Sequence, residues 1–590
     1  MFKLAFKLKK SYGKYFGFSR QSLWHTLALL GVFASNVAMA FIIALINSLF
    51  SNVIGIISLP GLTYTLFFIS ALQFIGAILV YATAAALTYA LASWLGRSLG
   101  RAKSKDLWQR WLTNQRAFLA KFTHTDPPVN PAQVIAEDST ETAESAGYLL
   151  SSFLMALSNG ILGFSGLWIL SATLAVVVFG QALLIPGYMA LAAVIYSLGY
   201  NFIMKFFGKK LKKNEAALKQ VSGDIEQQLH HVDTFAEHVA IRQGAEVEKK
   251  YLEKLDQKKS EKFKLHFFVN TGLDFLRTIH QQLGLAMGLL LAAPQIIAQK
   301  LSATQIFQVS QYFAYVVGFF TWQHDNYEEV TRTQVGLERM EQFEVMLSEC
   351  DKLRREKKTQ LEYSPTGTEI IFSNLTVQTP SRTVCTHFSE ELHIPQGSRV
   401  KITGASGVGK STLIRMLGDI WPFGSGKISI PAKKEEILAF SQEAYFTKNA
   451  SLWEAIVYPY VQSQPLSERK EQAKAWMKEL DFRQEHIDEL DRVKDWGKIL
   501  SGGEKQRIAL LSILVHKPKV VFMDEAISGL DEKLAEQVLA LLIKELPDTT
   551  FVCVDHTKLS NFYTHELVLT QENPPAFKPI RQTPKLQLVA

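Results

Sequence analysis

Cysteine is scarce in this 590-residue chain: there are three, Cys350, Cys385 and Cys553, far apart. They form no disulfide framework and match no metal-ligand spacing, so reduced thiols in a cytosolic setting are expected. Charge is missing from long stretches. Residues 27–50, 64–95, 148–177, 182–204, 267–297 and 304–322 contain only Asp274 and Arg277 between them. A helix needs roughly 20 apolar residues to cross the hydrocarbon core, so six membrane spans are expected. A soluble protein is thereby excluded. The first apolar run is too long for a signal core and shows no convincing cleavage site, so no cleavable signal peptide is expected. The net charge is +8. Much of that excess flanks the apolar runs, where basic residues mark cytoplasmic membrane ends, and nucleic acid is not an expected partner.

The placement of charge sets a topology. Lys3, Lys7, Lys9, Lys10, Lys14 and Arg20 precede the first span without an acid among them. Arg97, Arg101, Lys103, Lys105 and Arg110 follow the second, and Lys205, Lys209, Lys210, Lys212 and Lys213 follow the fourth. The connections 51–63 and 179–181 carry no charge. The positive-inside rule then puts both termini and the two long connections in the cytoplasm. The lysine- and aromatic-rich N-terminus reads equally as an interfacial helix or as a disordered basic tail. The third and fourth spans reverse tightly at Phe179-Gly180-Gln181, near Pro186. Residues 211–262 lack proline and read as helix. The tips of the two long connections, 126–133 and 231–246, are expected to dock on the domain that follows. Asp274 and Arg277 share a helix face and can pair, with His280 one step further on. Asp274 reads as lying below the membrane, and His324 and Asp325 as interfacial.

Beyond residue 345 the composition changes. Residues 346–366 read as a charged linker, and 367–575 alternate strand-like with helix-like runs, which suggests a parallel sheet flanked by helices. A strand at 398–403 leads to Gly404, Ala405, Ser406, Gly407, Val408, Gly409, Lys410, Ser411 and Thr412, and a helix follows over 411–417. That context suits a phosphate-binding loop. The glycines let successive amides turn toward an anion, and the new helix adds its dipole. Lys410 supplies a charge to the β- and γ-phosphates of ATP, and the Ser411 hydroxyl is placed for Mg²⁺. Val520 to Met523 form a buried strand ending in Asp524, which suits a metal-holding carboxylate. Glu525 is expected to act as general base toward the attacking water. Ser501 caps a helix that begins at Gly502 or Gly503, with Glu504 in its first turn. One nucleotide in one chain has no use for this second phosphate-binding surface. A dimer with two ATP molecules at its interface does.

Taken in order, these motifs resemble those of ABC transporters whose membrane and ATPase domains share one polypeptide, the half-transporters. The LSGGEKQ run over 500–506 is similar to that superfamily's signature. By this resemblance Gln442 falls at the Q-loop, touching metal and water, Asp531 at the D-loop and His556 at the switch histidine. LGDIWPFGSG over 417–426 resembles the matching run of the peroxisomal fatty-acyl transporters and their bacterial YddA-like relatives, and NPAQVIAED over 130–138 is similar to a stretch of that bacterial group. The membrane region is also related to the SbmA/BacA peptide transporters. The resemblance implies an all-α six-helix transmembrane domain (1–345) fused to an α/β P-loop ATPase domain (367–575), with a tail over 576–590. It further implies a homodimer in a lipid membrane, helices reaching far into the cytoplasm and one shared central cavity. A bacterial inner membrane is the expected location. Thr379 stands where an adenine-stacking aromatic is usual, Asp419 where glycine is common and Gly529 where alanine is. Relatives handle fatty acyl-CoA, peptides and cobalamin, so the resemblance names neither a substrate nor a direction. The alternative reading is a membrane-anchored ATPase in which ATP regulates proton-driven uptake or sensing.

Overall fold

A computed structural model describes residues 2–16, 20–57, 64–123, 130–171, 174–178, 181–441, 445–459, 469–525, 527, 530–555, 562–570 and 574–580. The chain forms two compact units. One holds Met1–Gln109 with Asp126–Glu344, and the other holds Arg110–Thr125 with Val345–Ala590.

The first unit is helical: α1 (Phe2–Tyr12), α2 (Arg20–Ile57), most of α3 (Tyr64–Leu112), α5 (Ser139–Leu170), α6 (Tyr188–Thr234), α7 (Ala236–Ile241), α8 (Ala245–Ile297), α9 (Ala303–Asp325) and the start of α10 (Tyr327–Arg355). Among the described residues, three helices are long and apolar enough to cross a membrane: Ser22–Ile57, Tyr64–Phe122 and Pro131–Leu170. Tyr188–Met204 is a shorter apolar helix. The 49 residues of α3 and 53 of α8 far exceed one bilayer. At 1.5 Å per residue they run about 75–80 Å against a core of about 30 Å, so their charged halves project beyond it.

Small residues set how the helices meet. A Cβ at Gly96 would lie 2.7 Å from the Glu144 Cα, one at Gly100 2.7 Å from the Thr140 Cα, and one at Gly147 2.8 Å from the Ala92 carbonyl. Helices α3 and α5 therefore touch backbone to backbone. A Cβ at Gly163 would lie 2.5 Å from the Tyr312 carbonyl of α9, while Gly160 and Gly166 make room for the side chains of Phe319 and Tyr312.

Helix α1 is ordered on this bundle. Leu4 and Tyr12 are buried, the Tyr12 hydroxyl donates to the Ser139 carbonyl at 2.9 Å, and Lys10 pairs with Glu341 at 3.1 Å. A loose basic tail is thus corrected to a helix braced by other helices. Between α5 and α6, Leu174–Val178 (β1) and Gln181–Ile185 (β2) pair as an antiparallel hairpin, with Val178 opposite Gln181. The reversal falls where the sequence places it, but the flanking residues are strand, not span. The β-branched run of three valines favours extended backbone. In the 130–138 stretch, the Asn130 side chain accepts from the amides of Ala132 and Gln133, capping the helix that leads into α5.

In the second unit the expected linker is mostly regular structure. Helix α10 continues to Arg355 because Phe343, Met346, Leu347 and Cys350 keep a buried stripe at helical spacing. Strand β3 (Lys358–Tyr363) then pairs in parallel with β8 (Gly424–Ile430). The unit also takes in the chain segment around α4 (Arg116–Leu119). The Arg116 guanidinium donates to both carboxylate oxygens of Asp351, at 2.8 and 3.1 Å. Phe122 sets its ring edge-on to Trp421 and Phe423, with centroids 5.2 and 5.4 Å away. The docking piece therefore precedes the expected tip at 126–133, of which 126–129 lie outside the described residues.

Two sheets build this unit. One carries β3, β8, β4 (Glu369–Gln378) and β5 (Val384–His387), with β6 (Leu392–Pro395) also paired to β4. Its antiparallel half is an addition to the parallel sheet read from sequence. The other runs β13 (Ala576–Pro579), β12 (His565–Leu569), β7 (Arg399–Gly404), β11 (Thr550–Val554), β10 (Val520–Asp524) and β9 (Ile437–Phe440). From β12 to β9 all neighbours are parallel. All five of these strands therefore have their C-terminal ends on one edge, with β12 and β9 at the two sides of the parallel set.

Candidate functional site

That edge is where the motifs converge, as ligand sites do in open α/β sheets. Strand β7 ends in Gly404, β11 ends two residues before His556, β10 ends in Asp524 and β9 ends two residues before Gln442. Gln442 and His556 themselves lie outside the described residues, but the strands that lead to them flank β10 on either side.

The loop after β7 takes left-handed backbone at Gly404 (φ 144°), Gly407 (84°) and Gly409 (100°). A Cβ at Gly404 would sit 2.4 Å from the Leu569 carbonyl, and one at Gly409 2.9 Å from the Cys385 Cβ. At Gly407 a Cβ would meet nothing within 4 Å. Two of the glycines thus answer to the protein and the third to the space inside the loop. Lys410 opens α11 (Lys410–Leu417), and its buried ammonium donates to the carbonyls of Gly404 (2.8 Å) and Ala405 (3.1 Å). Its charge lies across the mouth of the curl formed by Ala405, Ser406, Gly407 and Val408.

The next residue ties the loop to β10: Ser411 Oγ donates to Asp524 Oδ1 at 3.0 Å. Asp524 is buried, and burial raises its carboxyl above the usual range against the opposing pull of Ser411 and Arg415. A buried carboxylate beside a hydroxyl is an oxygen pair of the kind that hard divalent cations take, so these residues fit Mg²⁺. Glu525 follows in left-handed backbone at φ 54°, its amide bonded to the Val554 carbonyl at 2.9 Å. A non-glycine residue held there turns its side chain away from the strand direction set by Asp524.

Helix α12 (Gly502–His516) starts with Ser501 as N-cap. The Ser501 side chain accepts from the Glu504 amide at 3.3 Å, and Glu504 accepts the Ser501 amide in return at 2.9 Å. Burial pushes the Glu504 carboxyl up, but the bonds from Ser501 and nearby His486 and Arg483 bring it below its usual value. Glu504 therefore serves the cap, while Ser501 and Gly502 stay exposed at the helix mouth. Asp531 caps α13 (Glu532–Glu545) through the Leu534 amide at 3.0 Å.

Thr379 sits in the hairpin turn between β4 and β5, its amide bonded to the Thr383 carbonyl. It offers hydroxyl and no ring. Trp421 donates to the Gln378 carbonyl at 2.8 Å, and Arg382 stacks over Phe423 at 5.1 Å. Both aromatic rings are buried and face Phe122. The sequence reading missed this socket. Its signal was the aromatic pair in WPFG beside two phenylalanines at 118 and 122. Asp419 adopts φ 61°, which explains the glycine common there. Here Asp accepts the strain and pairs with Lys357.

Comparison with known proteins fits this geometry. Residues 389–528 match the ABC transporter family, and residues 16–297 match ABC transporter transmembrane region 2. The chain is 27% identical to the inner membrane ABC transporter ATP-binding protein YddA of Escherichia coli, over 76% of this chain and 79% of that protein. It is 34% identical to an uncharacterized ABC transporter ATP-binding protein of Haemophilus influenzae, over 37% of this chain and 36% of that protein. It is 33% identical to ABC transporter D family member 3 of Dictyostelium discoideum, over 34% and 27%. The chain thus spans about a third of two of these relatives and most of YddA. An ABC ATPase domain implies ATP binding and hydrolysis coupled to transport, and the apolar helices imply a membrane location. The chain belongs to the ABC half-transporters, in the group of the YddA-like and D-family proteins.

Proposed function

We propose that this chain is an ATP-driven transporter that works as a homodimer, with six spans per subunit over 1–345, the ATPase domain over 367–575 and both termini in the cytoplasm of a bacterial inner membrane. The observation that carries the reading is the shared edge of β7, β11, β10 and β9 together with the exposed N-terminus of α12. The loop 404–412 holds the triphosphate of ATP through its amides and Lys410. The Ser501, Gly502 and Gly503 end of α12, braced by Glu504, closes on the nucleotide held by the partner subunit, and Asp531 lines the same interface. Ser411, Asp524 and Gln442 would hold Mg²⁺, which would supply positive charge against the β- and γ-phosphates. Glu525 orients the attacking water and draws off its proton, and His556 supports the charge that develops on the γ-phosphate. Closure and reopening of the two ATPase domains drive the spans between inward- and outward-open arrangements. Segment 110–125, fixed by Arg116 and Phe122, carries that motion.

The test is Glu525→Gln in lipid nanodiscs. Hydrolysis should fall at least about 100-fold while ATP still binds and holds a closed dimer. Undiminished hydrolysis would remove Glu525 from the mechanism.

A further inference from the structure

The exposed mouth of α12 is tied to the interior of the ATPase unit through one buried acid. Glu504 divides its two carboxylate oxygens between different neighbours. Oε2 accepts from the Ser501 amide at 2.9 Å and from the Ser501 hydroxyl at 2.8 Å. Oε1 faces His486 Nδ1 at 3.5 Å and Arg483 Nε at 3.6 Å.

The two neighbours of Oε1 are not equal. The Arg483 side chain is 70% exposed, so water and salt screen its charge. His486 is buried, as Glu504 is. Its ring stands edge-on to Trp496 with centroids 5.7 Å apart, and the Trp496 indole is itself fixed by the Arg492 carbonyl at 3.0 Å. Yet His486 Nδ1 has no hydrogen-bond partner among the described residues. A buried nitrogen left in that state costs free energy. The carboxylate beside it sets the tautomer: a lone pair aimed at Oε1 would be repelled, so Nδ1 carries a proton. A donor thus stands about half an ångström short of an ordinary hydrogen bond to Glu504.

The cap gives that donor a use. Serine has a single O–H. The Glu504 carboxyl, held below its usual value, is ionised at neutral pH, and its oxygens only accept. The Ser501 proton is therefore committed to Oε2, and the hydroxyl offers a phosphate nothing but lone pairs. If this helix mouth closes on the partner's nucleotide, the hydroxyl must rotate about its Cβ–Oγ bond and donate to a phosphate oxygen. No covalent bond changes. Glu504 then loses a donor while it stays buried and charged, and His486 is the buried donor within reach of it.

We propose that His486 is a positioning residue of the ATPase: as Ser501 turns its hydroxyl from Glu504 to the nucleotide, His486 Nδ1 closes on Oε1 and keeps the carboxylate, and with it the helix mouth, in place. The inference rests on the role proposed above for the α12 mouth.

Steady-state ATP hydrolysis by the full chain in nanodiscs tests it, with His486→Leu, His486→Asn and Gly502→Asp side by side. Leucine fills the space against Trp496 and donates nothing. Asparagine carries an N–H close to where Nδ1 stood. His486→Leu should lower kcat at least about tenfold and leave KM within about twofold, since the loop 404–412 binds ATP before the mouth closes. His486→Asn should regain most of the lost rate. If leucine lowers the melting temperature, His486→Phe, which keeps an aromatic edge on Trp496 and lacks the donor, takes its place. Gly502→Asp, which spoils the mouth directly, should abolish hydrolysis. With hydrolysis so abolished, an unchanged kcat in His486→Leu, or an equal loss in His486→Asn, would overturn the role of His486 alone. Normal hydrolysis by Gly502→Asp would overturn the reading of the helix mouth, and the role of His486 with it.

Discussion

The three glycines of the nucleotide loop make different demands, and single substitutions separate them. Gly404→Ala drives a methyl group against the Leu569 carbonyl in a backbone region that alanine resists. It should destabilise the ATPase unit by about 2–3 kcal/mol in denaturant unfolding. Gly407→Ala meets no atom, so its stability loss should be smaller, but its methyl group occupies the space in the loop and ATP affinity should fall sharply. Equal stability losses would show that the open space at Gly407 is not what distinguishes it. Asp524 presents the opposite balance. Burial holds its carboxyl above the ordinary value of 3.8, so the folded state binds its proton more tightly than the unfolded state does. Its contribution to stability therefore falls as pH rises from near 4 through the raised folded pKa, and at neutral pH a buried charge works against the fold. Asp524→Asn should raise the ATPase unit's melting temperature by about 2–4 °C for each kcal/mol recovered, while abolishing hydrolysis. A lowered melting temperature would mean that the ionised carboxylate is a net support, through Ser411 or Arg415.

Elements show where sequence is informative and where it stops. Strands β10 and β11 were legible as short apolar runs, because burial on both sides of a parallel sheet demands continuous apolar residues, whereas β7, which alternates buried with half-buried residues, was legible with the loop after it as the strand that a phosphate-loop motif requires. The hairpin β1–β2 was not legible. An apolar run beside a membrane helix reads as more helix unless the β-branched content of Val176, Val177 and Val178 is weighed against length. The continuation of α10 was hidden for the reverse reason: Lys, Arg and Glu are good helix formers as well as linker residues, and the buried stripe of Phe343, Leu347 and Cys350 was the deciding signal. Helix pairing was hidden altogether, since a glycine's neighbour on another helix is not in its own segment. The contact of α3 with α5 can be tested on that ground. Gly96→Val cannot be housed against the Glu144 backbone and should lower thermal stability in detergent by several degrees, whereas Gly76→Ala, with nothing within 4 Å, should leave it unchanged. Equal effects would show that the close crossing does not support the bundle.

At the scale of the whole molecule, the proposed function gives one chain two phosphate-binding surfaces, a loop and a helix mouth. Lys410 lies inside the loop at the end of β7, whereas Ser501 and Gly502 stand exposed at the mouth of a fifteen-residue helix whose other face is buried in the same unit. If each nucleotide is held by the loop of one copy and the helix mouth of the other, defects on different surfaces must complement. Lys410→Ala spoils the loop but leaves the helix mouth intact. Gly502→Asp places an acid at the helix mouth but leaves the loop intact. Each variant alone should hydrolyse almost no ATP, since every site in its homodimer contains one defect. In a mixed dimer one site combines the sound loop of the Gly502→Asp copy with the sound mouth of the Lys410→Ala copy, and the other site combines both defects. Random pairing makes half of all dimers mixed, each with one of two sites sound, so activity should return to about a quarter of the unmodified protein's when the two variants, each with its own tag, are co-expressed and the whole unselected pool is assayed. Selecting dimers that carry both tags should double that fraction. A co-purified pair no more active than either variant alone would place both surfaces on a single nucleotide within one subunit, or require both sites to be sound at once. Repeating the selection with Lys410→Ala and Gly502→Asp in one copy and an unmodified second copy separates those two outcomes. That dimer has no sound composite site if sites form in trans, but one wholly sound subunit if they form in cis.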